Sequence, residues 1–524
     1  MVKLPAPFVR KMQQLLRQQY EPFIQSYNET RHAGLRVNTA KMAVEAFCRL
    51  SPFPLSPIAW APEGFYIPET ERPGKHPYYH AGLYYVQEPS AMAPVELLDV
   101  QPGDKVLDLC AAPGGKSTQI AAKLHGRGQL VTNDNSADRV KALVKNIELY
   151  GVTNAIVMNE TPDRLAAAMP SFFDKILVDA PCSGEGMFRK DESMVRSWDE
   201  SAPARYAAMQ KQILAEAARM LKPGGTIVYS TCTFSPEENE SIIAGFLQKH
   251  GDFHVALIAL DYGFAPGRPD WVTSDCEDTI RESVAGTVRL WPHLVSGEGH
   301  FVARLRRLGG GAEAESPTEE RRMDNAPVNR RNGRSPGVIP LPIQPSPSDE
   351  RSRSGRGGSV SRRSDSLRSR SAAVPAVDAA GLVQAFASGN LEVQLSGGIT
   401  VYGSYVYASP ENSPALDGLK VARPGWFLGT MRGDRFEPSH ALAMGLKRGQ
   451  DAQRHLSFAV DDGDLIRYLK GETLQIPEER IVRSRPSVQA KGYCLVCVEG
   501  YPLGWGKWLD GMLKNEYPPG WRWT

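Results

Sequence analysis

Between residues 91 and 306, short β-rich runs alternate with helical stretches, and this alternation constrains the fold more than any other feature. It predicts one α/β domain. Strands are expected near 105–109, 129–133, 155–159, 175–179, 225–231 and 300–305, and helices near 117–125, 137–150, 201–221 and 236–249. The strands are largely continuous in apolar character, which fits a parallel sheet covered on both faces. Ligands of such sheets bind outside the carboxyl ends of the strands. The residues just past each strand therefore define what the domain can do.

At 524 residues the chain has room for three or four domains. Residues 1–90 read as a small mixed segment with one helix-spaced apolar stripe over 8–27 (Met12, Leu15, Leu16, Tyr20, Phe23). It is followed by the α/β domain at 91–306. Residues 307–376 are rich in Gly, Pro, Ser and Arg, with almost no large apolar side chains. Burial there cannot offset the entropy of ordering, so a disordered linker is expected. Its Arg-Ser clusters suit a solvated tether or contact with RNA phosphates. Apolar patterning returns in an intermediate domain at 377–440 and a β-rich domain at 441–524. Seven cysteines in so long a chain make no disulfide framework. No 18-residue apolar run and no apolar signal core are present, so a soluble, cytoplasmic protein is expected. A net charge of +2 leaves any basic surface local.

The first strand runs into Cys110, Ala111, Ala112, Pro113, Gly114, Gly115 and Lys116. This is a strand, a tight glycine turn and a helix start. Glycines let the backbone approach a ligand, and a helix N-terminus offers free N–H groups. About 20 residues on, the second strand ends at Asp134, placed to hold two ribose hydroxyls. A nucleoside-bearing cofactor follows. The G-x-G-x-x-G dinucleotide fingerprint is absent, which argues against NAD and favours S-adenosylmethionine.

Two cysteines lie just past two further strands: Cys182 after Asp179-Ala-Pro, and Cys232 after Ser230-Thr. Carbon 5 of cytosine is a poor nucleophile. A thiolate adding at carbon 6 makes an enamine that can attack a sulfonium methyl, and a second group must then remove the proton from carbon 5. Two thiols on one rim suit that division of labour. Spacing alone does not say which thiol attacks. Ser235-Pro-Glu-Glu238 reads as a capping box with Pro at the first helical position, so Cys232 would feel the positive end of a helix. Glu237, Glu238 and Glu240 are then helix-capping and dipole-facing residues. Asp179 is placed to accept from the cytosine amino group or share a proton with ring nitrogen 3. Lys190 faces the substrate or the cofactor, or else lies on a surface loop. Cys48 and Cys110 read as small buried hydrophobes. Cys494 and Cys497 form a C-x-x-C inside an apolar, strand-like run; with no second pair to complete a zinc site, packing is expected and no metal.

Arg36-Val-Asn38, Gln87-Glu-Pro-Ser90, the 110–116 turn, Asp179-Ala-Pro-Cys-Ser-Gly-Glu-Gly186 and Ser230-Thr-Cys-Thr233 occur in one order. In this the chain resembles the RNA cytosine-C5 methyltransferases of the NOL1/NOP2/Sun group. The tail, with Gly504-Trp-Gly-Lys-Trp508 and Gly520-Trp-Arg-Trp523, resembles the bacterial RsmF type, which acts on 16S ribosomal RNA and carries a PUA-like RNA-binding fold. The resemblance implies a Rossmann-like, S-adenosylmethionine-dependent domain with Cys232 as nucleophile and Cys182 as resolving base. It also implies cofactor contacts from the 110–116 turn, Asp134 and Asp179. An Asp-Gly-Arg-like turn after the third strand is replaced here by Asn159-Glu-Thr-Pro-Asp163, where Thr161 aligns best by spacing. The closing Gly-Phe-Phe of the group reads Gly299-His-Phe301.

A target cytosine must leave its stack to meet these groups, so opened or single-stranded RNA is the expected partner of a monomeric enzyme. Trp505, Trp508, Trp521 and Trp523, interleaved with Lys507, Lys514 and Arg522, suit RNA stacking or a barrel core. Arg36 and Lys41 are expected phosphate contacts. The alternatives are action on transfer RNA and a catalytically inactive RNA-binding assembly factor. The intact cysteines, Asp179 and glycine turn speak against the second.

Overall fold

The computed structural model describes residues 4–309 and 378–523. The stretch expected as a disordered linker lies outside the described residues from position 310 onward. The described residues form two compact units. One takes in the first described stretch together with Pro410–Trp426, and the other takes in the remainder.

The first unit opens with two helices, Ala6–Leu16 and Tyr20–Gln25, where the periodicity predicted one. The break falls at Arg17, which has φ of 50°. Pro22 lacks the amide that would carry the first helix through. Phe8, Met12, Leu16 and Phe23 still share one buried face, packed with Phe188, Phe234, Trp271 and Trp291. An antiparallel sheet follows, made of β1 (Ala33–Val37), β2 (Ser56–Ile58), β3 (Ala61–Ile67) and β4 (Tyr84–Val86) in the order β2-β3-β1-β4.

The central sheet has five parallel strands: β5 (Lys105–Asp108), β6 (Gln129–Asn133), β7 (Ala155–Met158), β8 (Phe173–Asp179) and β9 (Leu221–Thr231). Their spatial order is β9-β8-β5-β6-β7. The order reverses between β5 and β8, which opens a crevice at the carboxyl ends there. Leu107, Ile156 and Ile176 face one buried cluster; Val106, Val157 and Leu177 face the other. Burying each such side chain is worth roughly 1.5–3 kcal/mol, which explains the continuous apolar runs. Beyond β9 the sheet departs from the expected parallel pattern. β10 (Phe253–Val255), β11 (Ala265–Pro266), β12 (Val288–Leu290) and β13 (His300–Arg307) are added antiparallel, with Phe301 opposite Thr231. β13 enters from a neighbouring antiparallel strand rather than through a crossover helix, so it must run the other way.

At the opposite edge the strand Val421–Arg423 pairs antiparallel with β7, Val421 opposite Met158. The sequence groups 377–440 as one domain, yet Pro410–Trp426 packs with the first unit. The Asn159 amide donates to the Lys420 carbonyl at 2.9 Å, and the Lys420 amide to Glu160 Oε1 at 2.9 Å. A three-residue strand whose partner lies some 260 positions back leaves no periodicity to read.

The second unit holds two sheets. One is built from Gly398–Tyr402, Tyr405–Ser409, Trp426–Arg432 and Arg435–Pro438; the other is centred on Gly492–Val498 and Tyr501–Leu509. Trp505 and Trp508 are buried, their indole N–H groups donating to the carbonyls of Ser439 (3.0 Å) and Ile476 (2.8 Å). They belong to the core rather than to a stacking face. Trp521 is half-buried against His440, with ring centroids 4.7 Å apart. Lys507 and Lys514 both face Glu516.

Candidate active site

The carboxyl ends of β5, β6, β8 and β9 surround a cavity of about 760 Å³, within the range of small-molecule sites. Asp134, Thr161 and Asp163 line it on one side; Asp179, Cys182 and Cys232 line it on the other. Of the glycine turn, Cys110 and Ala112 form wall. Gly114 adopts φ of 112°, which a side chain would strain, and an added Cβ would press on Leu143. An added Cβ at Gly115 would meet the Tyr85 ring at 3.1 Å, so its missing side chain admits a tyrosine.

Asp134 is buried. Its carboxylate accepts from the amides of Ala112 (3.3 Å) and Ser136 (3.0 Å) and pairs with Arg139 at 3.0 Å. These contacts fix the carboxylate relative to the turn. Asp163, which spacing did not single out, lies beside Thr161. Both line the cavity, and the Thr161 side chain bonds to Asp163, holding its carboxyl below its ordinary range. The available signal was Pro162-Asp163, an acid in the first turn of the helix Pro162–Ala168.

On the other side, Lys116 Nζ bonds Asp179 Oδ2 at 2.7 Å, and the Ser230 hydroxyl donates to Asp179 Oδ1 at 2.7 Å. Burial alone would raise the Asp179 carboxyl; Lys116, His300 and Ser230 outweigh it and hold it below its usual value. Burial likewise opposes charge on Lys116, and Asp179 restores it. The pair is thus charged and fixed. Cys182 Sγ lies 3.3 Å from Cys232 Sγ. The hydrogen bond to Cys232 and burial together push the Cys182 thiol well above its ordinary value. Burial and the nearby Asp108, Asp134 and Asp179 do the same for Cys110.

Several expectations are corrected. The helix after Cys232 begins at Glu240, not at Ser235–Pro236, because Glu238 and Asn239 turn inward to bond the strand ends. Glu238 is fully buried and precedes the helix; Glu240, also buried, does stand in its first turn as expected and forms a bidentate pair with Arg289. Arg36 is buried, bonded to Gln87, to the Gly115 carbonyl at 3.0 Å and to Thr118 at 2.8 Å. Lys41 is buried as well and donates to the Ala81 carbonyl at 2.7 Å. Neither is placed for phosphate. Cys48 is exposed, on the outer side of a helix whose Phe47 is buried. Lys190 is exposed.

Four family models tile the chain. They describe the N-terminal domain of 16S rRNA methyltransferase RsmF (residues 4–89), 16S rRNA methyltransferase RsmB/F (95–306), the RsmF first C-terminal domain (385–446) and the RsmF PUA domain (455–523). A ribosomal RNA small subunit methyltransferase F of Vibrio vulnificus is 31% identical over 99% of this chain and 97% of its own. The chain belongs to the RsmF family of methyltransferases. An RsmF relative from Erwinia tasmaniensis is 39% identical over 59% of this chain and 64% of its own. The crystal structure of a methyltransferase homolog from Pyrococcus horikoshii aligns with a TM-score of 0.52 and 29% identity, covering 59% of this chain and 96% of that one. The RsmF-family chain is therefore a methyltransferase with a Rossmann-like core and a β-rich C-terminal region containing a PUA domain. Among the described residues, no helix is long and apolar enough to cross a membrane.

Proposed function

We propose that the chain transfers a methyl group from S-adenosylmethionine to carbon 5 of a cytosine in 16S ribosomal RNA. The observation that carries this reading is the pair of thiols 3.3 Å apart on the wall of the cavity, beside the Lys116–Asp179 ion pair. The relatives' names supply the ribosomal substrate.

The cavity fits a nucleoside-bearing donor. Asp134 and Asp163 present carboxylates at one side, and the turn at Cys110–Ala112 supplies the wall between them and the thiols. S-adenosylmethionine bound there supplies an electrophilic methyl group. Cys232, its proton given up to solvent, attacks carbon 6 as the thiolate; the sulfur–carbon bond forms, the ring's double-bond electrons move to carbon 5, and carbon 5 takes the methyl as the bond between that methyl and the sulfonium breaks, the electron pair staying on the departing thioether. Asp179, held ionised by Lys116, accepts from the cytosine amino group and orients the ring. Cys182 then acts as base. In the resting protein the hydrogen bond to Cys232 and burial hold the Cys182 thiol above its ordinary value; attack is assigned to Cys232 because the chain resembles the group in which the Thr-Cys thiol is the nucleophile. Once Cys232 is bound to carbon, its hydrogen bond with Cys182 is lost. Cys182 releases its own proton to solvent and takes the proton from carbon 5. The electrons restore the double bond, and the bond to Cys232 breaks.

The test is a pair of variants incubated with S-adenosylmethionine and 16S ribosomal RNA, with bisulfite sequencing to locate the base. Cys182→Ala is expected to accumulate a denaturation-resistant RNA–protein adduct, and Cys232→Ala to form none. Methylation by Cys232→Ala would overturn the assignment. Loss of methylation only in transfer RNA, in cells lacking the gene, would overturn the ribosomal substrate.

A further inference from the structure

Glu238 and Asn239 are adjacent in the chain and serve different cysteines. The buried Glu238 carboxylate accepts from the Ser183 amide at 2.9 Å, from the Ser183 hydroxyl and from Gln210 Nε2 at 3.0 Å. Gln210 Nε2 also donates to the Pro181 carbonyl at 2.9 Å. Both neighbours of Cys182 are thus tied to one carboxylate, Ser183 directly and Pro181 through Gln210. Asn239 does the same around Cys232. Its Nδ2 donates to the Thr233 carbonyl at 2.9 Å, and its Oδ1 accepts from the Thr231 hydroxyl at 2.6 Å. The hydroxyls of Ser183 and Thr233, each one residue past its cysteine, bond each other at 2.7 Å. The Tyr229 hydroxyl anchors the Glu238 carbonyl at 2.7 Å.

Helix capping does not explain this arrangement. Asn239 is the N-cap of the helix Glu240–Leu247, yet its side chain makes no capping bond. Removing a carboxylate from water is costly unless every oxygen is bonded. Here the bonds come from Ser183, next to Cys182, and from Gln210, which also holds the Pro181 carbonyl.

We propose that Glu238 and Asn239 are positioning residues that fix the two thiols relative to each other, Glu238 for the resolving step at Cys182 and Asn239 for attack by Cys232. The inference rests on the covalent reading above. A misplacement near 1 Å costs about 10²-fold in rate, so each half of the clamp governs its own step.

The full chain is tested with S-adenosylmethionine and 16S ribosomal RNA, following turnover, RNA KM and adduct on denaturing gels. Glu238→Ala is expected to lower kcat by about 10²-fold with KM within about twofold, and to accumulate adduct as Cys182→Ala does. Asn239→Ala is expected to lose rate to a similar degree without accumulating adduct. Glu238→Gln keeps the side chain's shape and one acceptor oxygen, so it is expected to recover part of the rate; it stands in if the alanine variant does not fold. Adduct in Cys182→Ala but not in a folded Glu238 variant would overturn the clamp and leave the covalent reading intact. Adduct in neither would overturn both.

Discussion

The chain carries two pairs of cysteines, and they are opposite in kind. Cys494 and Cys497 are three positions apart, both fully buried in the strand Gly492–Val498. Cys182 and Cys232 are 50 positions apart and meet at 3.3 Å on the rim of a different sheet. The near pair looks more like a motif, yet it packs as small hydrophobes, and burial pushes Cys494 up to about 12. The far pair has an accessible cavity, an ion pair beside it and a bonded frame behind it. Position at the carboxyl ends of β8 and β9, not closeness in sequence, is what brings a pair of thiols to the cavity.

The comparison breaks if the rim pair is dispensable. Cys232→Ala is expected to abolish turnover, by about 10⁴-fold or more as for loss of other nucleophiles, measured by methyl incorporation into 16S ribosomal RNA. Cys182→Ala should lose turnover by about 10²–10⁴-fold, the usual range for a removed acid–base group, while adduct builds up.

A third test concerns what the rim costs the fold. Burial pushes the Asp108 carboxyl, at the end of β5, up to about 7, with Ser117 only partly opposing it. Unfolded, the group titrates near 4. Between those values the folded protein binds more protons, so this group's contribution to stability falls as pH rises from about 4 to about 7. Asp108→Asn should therefore stabilise the protein by on the order of 2–4 kcal/mol more at pH 8 than at pH 4. Thermal melts of both proteins at the two pH values check it, and a constant gap would count against a buried, titrating acid. The smallest effect belongs to the inert pair. Cys494→Ser buries a hydroxyl in an apolar strand and should cost about 1–2 kcal/mol of stability with methylation unchanged. A loss of kcat in a folded Cys494→Ser protein would blur the contrast between the two pairs.

Much of the rim was legible because its chemistry comes in short contiguous runs at strand ends. The strand pattern, the glycine turn, Asp134, Asp179 and both cysteines could be read without knowing what lies across the fold. What escaped depends on convergence. Arg36 looked like a phosphate contact, but Gln87, Gly115 and Thr118 reach it from three separate segments. Glu238 looked like a helix cap because polar residues that cap and polar residues that bond inward are the same types; its partners, Ser183 and Gln210, lie 55 and 28 positions earlier. The tryptophans of the tail interleave with lysines in sequence, yet Trp505 and Trp508, three positions apart and so on opposite faces of their strand, are both buried, while Lys507, on the face of Trp505, is half-buried and reaches Glu516.

The return strand Val421–Arg423 carries a consequence for biosynthesis. The outer edge of β7 is among the earlier parts of its sheet to be made, and its partner is among the last parts of that unit to be translated. At about 5–20 residues per second, the stretch from 158 to 421 takes on the order of 10–50 s. During that interval β7 presents unpaired backbone donors and acceptors, a template for wrong pairing. The nascent catalytic sheet thus waits, one edge short, for a strand encoded well downstream, and synonymous codon changes that slow translation between the two would lengthen the time in which the chain can aggregate.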